Sequence, residues 1–83
     1  MPNSLHTKRH KAIVKAIADG RRDSGLTQVE VAKAMGGGWS QPIMVTVERG
    51  GRRIDLVELM RLAEIIGLDV DALVQQLREI PDE

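Results

Sequence analysis

The stretch Thr27-Gln28-Val29-Glu30-Val31-Ala32-Lys33-Ala34-Met35-Gly36-Gly37-Gly38-Trp39-Ser40-Gln41-Pro42-Ile43-Met44-Val45-Thr46-Val47-Glu48-Arg49-Gly50 decides how this chain folds. It opens with a capping box, in which the Thr27 hydroxyl accepts from the Glu30 amide and the Glu30 side chain reaches back to the amide of Thr27. Val31, Ala32, Ala34 and Met35 then make a short helix, and Gly36-Gly37-Gly38 stops it. Ser40 is placed to cap the next helix. Pro42 in its first turn costs little, because amides there have no intrahelical partner. Gly50-Gly51 ends that helix. Two short helices around a glycine turn are a weak signal alone, since many αα-hairpins share it.

Outward from this stretch the helical pattern continues. Upstream, Ala12, Ile13, Ala16 and Ile17 recur at three- and four-residue spacing, the face of a helix of roughly four turns. Gly25 sits where that helix should stop. Downstream, Asp55-Leu56-Val57-Glu58 is a second capping box with Asp as the cap. Leu56, Leu59, Met60, Ala63 and Ile65 or Ile66 read as an inward stripe, and Gly67 as the residue just past the helix end. Asp69 caps a last helix carrying Val70, Leu73, Val74, Leu77 and Ile80, closed by Pro81. The expectation is an all-α fold of five helices without strands. One domain covers residues 1–83, with 1–7 as a flexible N-terminal tail. Caps, glycine stops and periodicity agree, which is the mark of a sequence that specifies one structure.

The composition removes several classes of function. A chain of 83 residues is one domain with a modest core. It has no cysteine, hence no disulfide framework, thiolate nucleophile or cysteine zinc site. His6 and His10 lack a nearby carboxylate ligand pattern, so neither a metal nor another cofactor is expected. No Ser/His/Asp set or paired carboxylates in a pocket-forming scaffold can be found. Gly36-Gly37-Gly38 lacks the Lys-Ser/Thr of a phosphate loop. An enzyme is not expected. The apolar runs are too short to span a membrane, and residues 1–10 lack the apolar stretch of a secretory signal. The default location is the cytoplasm.

A formal net charge of zero hides an uneven distribution. Residues 1–22 carry Lys8, Arg9, Lys11, Lys15, Arg21 and Arg22 against Asp19 alone, whereas 54–83 carry eight acids against Arg61 and Arg78. Such a dipole along the sequence either sets one end against phosphates or is ordinary solvated surface.

The segments Arg-Arg-Asp-Ser-Gly-Leu-Thr-Gln at 21–28, Val-Ala-Lys-Ala-Met-Gly at 31–36, Gln41, Val-Glu-Arg-Gly at 47–50, Asp-Leu-Val-Glu-Leu at 55–59 and Leu-Ala-Glu-Ile-Ile-Gly-Leu-Asp at 62–69 share a pattern. As a set they resemble the Xre family of Cro/C1-type helix-turn-helix regulators, over a stretch from about Ile17 to Val74. The resemblance implies a compact, lambda-repressor-like five-helix bundle containing a helix-turn-helix. It further implies sequence-specific binding of double-stranded DNA by a transcriptional regulator, a repressor by preference. The recognition helix, about 40–49, would lie in the major groove with its first turn toward base edges.

On that resemblance Gln28, at the start of the second helix, meets a DNA phosphate. The outward positions of the third helix are Gln41, Pro42, Val45, Thr46 and Arg49, its inward positions are Met44 and Val47, and Ile43 lies at the border. Gln41 can contact adenine bidentately, and Thr46 can contact a base by hydroxyl or thymine by methyl. Trp39 is expected to be partly buried, with its indole N–H facing a phosphate. Arg49, Arg52 and Arg53 add sequence-independent, salt-sensitive affinity, and Lys8, Arg9 and Lys11 could do so from an N-terminal arm. The expected DNA-binding set is thus Gln28, Trp39, Ser40, Gln41, Pro42, Val45, Thr46, Arg49, Arg52 and Arg53. Arg21 pairs with Glu48 in a structural salt bridge that locks the reading helix to the scaffold.

The sequence departs from the family in two places. The glycine-rich turn is longer than the usual connection. Val45 and Ile43 stand where family members usually carry polar readers, so this face either reads thymine methyls or binds protein. A module this small gains specificity as a dimer on two half-sites, and Val74, Leu77 and Ile80 are expected to form a symmetric homodimer contact. The alternative is a protein-interaction module on the same fold. It would be an antitoxin, or a subunit that binds DNA only with a partner, the protein partner being a toxin or a second regulator.

Overall fold

The computed structural model describes residues 7–81. Five helices follow one another: α1 (Lys8–Asp23), α2 (Gln28–Met35), α3 (Gln41–Glu48), α4 (Leu56–Ile66) and α5 (Val70–Arg78). Among the described residues there is no strand. Of the segment expected to be a tail, residues 1–6 lie outside the described part, and Thr7 is the N-cap of α1, its hydroxyl accepting from the His10 amide.

Four of the five helices start on a side-chain cap. Both capping boxes form: Thr27 Oγ1 accepts from Glu30 N at 3.1 Å and Glu30 Oε1 from Thr27 N at 2.9 Å. Asp55 Oδ1 accepts from Glu58 N at 2.7 Å and Glu58 Oε1 from Asp55 N at 3.1 Å. Asp69 caps α5 through Ala72 N. These contacts satisfy amides that the first turn leaves without partners. Gly67 takes the left-handed conformation (φ 71°, ψ 30°), and the Leu68 amide then reaches back to Ala63 O at 2.9 Å, turning the chain into α5.

The core lies where α1, α2, α3 and α4 meet. Ile17, Val31, Met44, Val47 and Leu62 are fully buried at its centre, and Leu73 is the buried residue of α5. On α1 the buried side chains are His10, Val14, Ile17 and Ala18, while Ile13 and Ala16 from the expected stripe pack at the core's edge. One expectation needs correction. On α4 the inward row is Leu59, Leu62, Ala63 and Ile66, whereas Leu56 and Met60 are 65% and 51% exposed. Leu56, Met60 and Ala63 form an equally regular row one step around the helix, and packing against α1 and α2 selects the other. On α5, Leu77 is half-buried against this chain's own core, and Val74 is exposed. Among the described residues no helix is long and apolar enough to cross a membrane.

Candidate nucleic-acid interface

α3 has eight residues, too few to be stable by itself. Ser40 occupies its cap position with extended backbone (φ −141°, ψ 167°), yet its side chain makes no cap hydrogen bond. No acidic residue sits in the first turn and no basic one in the last. What holds α3 is therefore tertiary. Met44 and Val47 anchor its inner face in the core, and two arginines fix its ends.

At the C-terminal end, Arg21 of α1 grips Glu48 as a fork. Nε donates to Oε2 at 2.6 Å and Nη2 to Oε1 at 3.0 Å. The remaining arm, Nη1, donates to the carbonyl of Leu26 at 3.0 Å, tying in the loop between α1 and α2. Gln28 Nε2 adds a third donor to the carboxylate, at 3.3 Å from Oε1. The two charged side chains are only 14% and 8% exposed. The hydrogen bonds to Glu48 outweigh desolvation and raise the Arg21 pKa above its ordinary value. The amide group of Gln28 is thus turned toward Glu48 rather than held free at the start of α2.

The chain on either side of α3 meets at Arg52. Its Nη1 and Nη2 donate to Glu58 Oε1 and Oε2 at 3.1 and 2.8 Å, and Nη1 also to the carbonyl of Arg53 at 3.1 Å. The guanidinium carbon lies 4.9 Å from the centre of the Trp39 ring, within cation–π range. One side chain thereby joins the residue before Ser40, the loop after α3 and the first turn of α4. The Arg52 hydrogen bonds hold the Glu58 carboxyl below the usual carboxylate range, and the pairing raises Arg52 in turn. Arg52, expected as a phosphate contact, is a brace with its guanidinium engaged. Trp39 is half-buried against the core beneath it.

The approach to α3 needs its glycines. Gly36, Gly37 and Gly38 all have positive φ (64°, 56° and 89°), a run that L side chains adopt only at a cost. The turn closes with Trp39 N donating to Gly36 O at 3.0 Å.

The outer face of α3 carries Gln41, Pro42, Thr46 and Arg49, all exposed, with Val45 half-buried beside them. Ile43 packs against the core instead. Thr46 Oγ1 donates to Pro42 O at 3.0 Å, so its hydroxyl proton is already committed. Arg53 is exposed in the following loop. The structure thus gathers Gln41, Pro42, Val45, Thr46 and Arg49 on one face and Trp39 with Arg52 beside its start. It places Gln28 with Arg21 and Glu48 on the scaffold side. Val74, Leu77 and Ile80 belong to the last helix and the residues after it, and the Ile80 carbonyl accepts from Arg9 Nε at 3.1 Å. Lys8, Arg9 and Lys11 lie within α1 and form no separate arm.

Two arginines had a part that sequence reasoning missed. Arg9 ties the start of α1 to the chain end after α5, 71 residues away. Arg61 Nη2 donates to Met35 O at 2.7 Å, filling a carbonyl left open at the end of α2. Neither partner lies at a helical spacing, so no periodicity could have revealed them. Compared with known proteins, the chain matches no family model and no curated protein.

Proposed function

We propose that this chain is a helix-turn-helix regulator of transcription that binds double-stranded DNA sequence-specifically. α2 and α3 form the motif, α3 enters the major groove, and two copies act on paired half-sites as a cytoplasmic repressor. The observation that carries this reading is the contrast between the two sides of α3. Its inner side and C-terminal end are fixed by Met44, Val47 and the Arg21–Glu48 fork, while its outer face leaves Gln41, Pro42, Thr46 and Arg49 exposed. A short helix held rigidly with one open polar-and-apolar face suits base-edge contact from its first turns, with Arg49 at its far end toward the backbone. The test is a fluorescence titration of duplex fragments across salt. Specific binding that weakens steeply with salt and is lost in Gln41→Ala supports the reading. Equal affinity for all duplexes contradicts it.

A second reading, a module that binds a protein such as a toxin or another regulator, is favoured by one observation on α4. Leu56, Val57 and Met60 are exposed, and Leu56 and Met60 line an open cleft of about 360 Å³ with Ala63, Leu68 and Val70. Glu64 and Asp71 complete that lining, which suits an apolar segment with basic flanks. Co-purification of such a partner, lost in Met60→Glu but not in Gln41→Ala, separates the two readings.

A further inference from the structure

Resting on the DNA-binding reading above, we propose that the outer face of α3 selects A·T pairs by apolar contact with thymine 5-methyl groups through Pro42, Val45 and Thr46, beside an adenine read by Gln41. The inference comes from the hydrogen-bonding capacity left on that face. Pro42 has no N–H and no polar side-chain atom. Val45 offers only methyl groups. Thr46 looks polar in the sequence, but its single hydroxyl proton is donated to Pro42 O at 3.0 Å. While that bond holds, the hydroxyl has no proton for guanine N7 or O6, and its oxygen can only accept. Gln41 alone in this row keeps a full amide, exposed at the first position of the helix.

The major groove offers one apolar group, the thymine 5-methyl, and cytosine carries hydrogen at the same place. Between Gln41 at its start and Arg49 at its far end, the middle of this face has no free side-chain donor and therefore distinguishes T from C by that methyl. Gln41 and Val45 are four residues apart, about 6 Å along the helix axis, so they address pairs roughly two steps apart at about 3.4 Å per step. A protein ligand is the weaker fit for this face. The large hydrophobic side chains that stand exposed are Val29, Leu56, Val57, Met60 and Val74, none of them on α3. What α3 offers is small methyl groups between the Gln41 amide and the Arg49 guanidinium.

The experiment starts from duplexes selected by the intact chain out of a random pool. Thymines of the best site are replaced one at a time by deoxyuridine, and affinity is read by fluorescence anisotropy. Removing a contacted methyl is expected to weaken binding about fourfold at two or three neighbouring positions, the scale of one buried methylene, and to be silent elsewhere. Restoring the methyl in another pair, as 5-methylcytosine·guanine, should recover most of the loss at those positions but not at the adenine read by Gln41. Val45→Ala should abolish the deoxyuridine penalty at one position and leave the penalties at the other positions in place. Specific binding indifferent to deoxyuridine throughout, or a selected site rich in G·C, overturns the methyl reading and leaves DNA recognition standing. If the chain, folded by circular dichroism, retains no duplex from the pool, both readings fall together.

Discussion

Two arginine–glutamate pairs hold α3, and they differ in their surroundings. Arg21–Glu48 is nearly closed off, at 14% and 8% exposure, and reaches across 27 residues to the helix itself. Arg52–Glu58 is more open, at 34% and 22%, spans six residues, and acts on the loops around α3. Removing charge from water is costly, and a buried pair breaks even only when its hydrogen bonds are complete. Arg21 and Glu48 meet that condition. Every arm of the guanidinium has an acceptor, and Gln28 adds a donor to the carboxylate. Arg52 instead sits between a carboxylate and an indole face and keeps part of its side chain exposed. The first pair fixes where α3 lies. The second limits how far its flanking loops can move.

The comparison breaks most readily at Glu48. Glu48→Ala leaves the Arg21 charge buried without its carboxylate and is expected to cost about 3 kcal/mol. In a domain of this size that lowers the melting temperature by more than 10 °C, roughly. Arg21→Lys should not rescue the site, because an ammonium cannot satisfy the carboxylate as a fork while also reaching Leu26 O. The double replacement Arg21→Met with Glu48→Leu should recover most of the loss, since it removes both charges. Chemical denaturation of the four proteins checks this. A Glu48→Ala cost no larger than that of Arg52→Ala would show that burial does not separate the pairs.

Arg52→Ala is expected to cost about 1 kcal/mol, the sum of a screened ion pair and an exposed cation–π contact. It carries its own reporter, because Trp39 is the only tryptophan. Uncovering the ring should move its emission to longer wavelength while circular dichroism stays unchanged. Unaltered emission would mean that Arg52 does not shield the indole in solution.

How well each pair can be read from sequence follows from the same contrast. Capping boxes are legible because the chemistry closes within four residues, as at Thr27–Glu30 and Asp55–Glu58. Helix existence and order are legible for the same reason, with glycines marking the ends. The Arg21–Glu48 pair is invisible to spacing and came only through resemblance. Arg52 was read by composition as one of three loop cations, and nothing local to it announces Glu58, which already had a part in its own capping box. On α4 the apolar pattern places Leu59, Ala63 and Ile66 correctly, but it puts Leu56 and Met60 inside and omits Leu62. Neighbouring rows of apolar residues fit its period, and only contact with other helices decides between them. Thr46 shows the limit for the candidate site. Its residue type promises a donor, and the helix backbone takes the proton.

Acid sharpens the comparison through Glu58. Its folded pKa lies below the ordinary carboxylate value, chiefly through Arg52. The stability it contributes is therefore full above the unfolded value of about 4.3 and is lost as pH falls through the lower folded value. Glu58→Gln keeps the capping box, which accepts glutamine at this position, but removes the charge. The expected result is a variant slightly less stable at neutral pH whose stability falls less steeply than wild type below about pH 4.5. Residual slope remains from Glu30, lowered in the same direction by its hydrogen bonds to Thr27. Parallel wild-type and variant profiles would show that Arg52 does not hold Glu58 in solution.

The smallest effect belongs to a third pair that sets the zero of the scale. Lys15 and Asp19 meet at 2.6 Å on α1, the shortest contact alongside Arg21–Glu48, yet they are 77% and 45% exposed. Distance alone would rank this pair with the first, whereas burial ranks it last. Water screens the attraction, and ordering the long lysine side chain offsets what remains. Lys15→Ala should leave the denaturation midpoint unchanged within measurement, with alanine's helix propensity cancelling part of any loss. A cost comparable to that of Arg52→Ala would mean that contact distance, rather than exclusion of water, grades these pairs. The argument that Arg21 and Glu48 position α3 would then lose its physical basis.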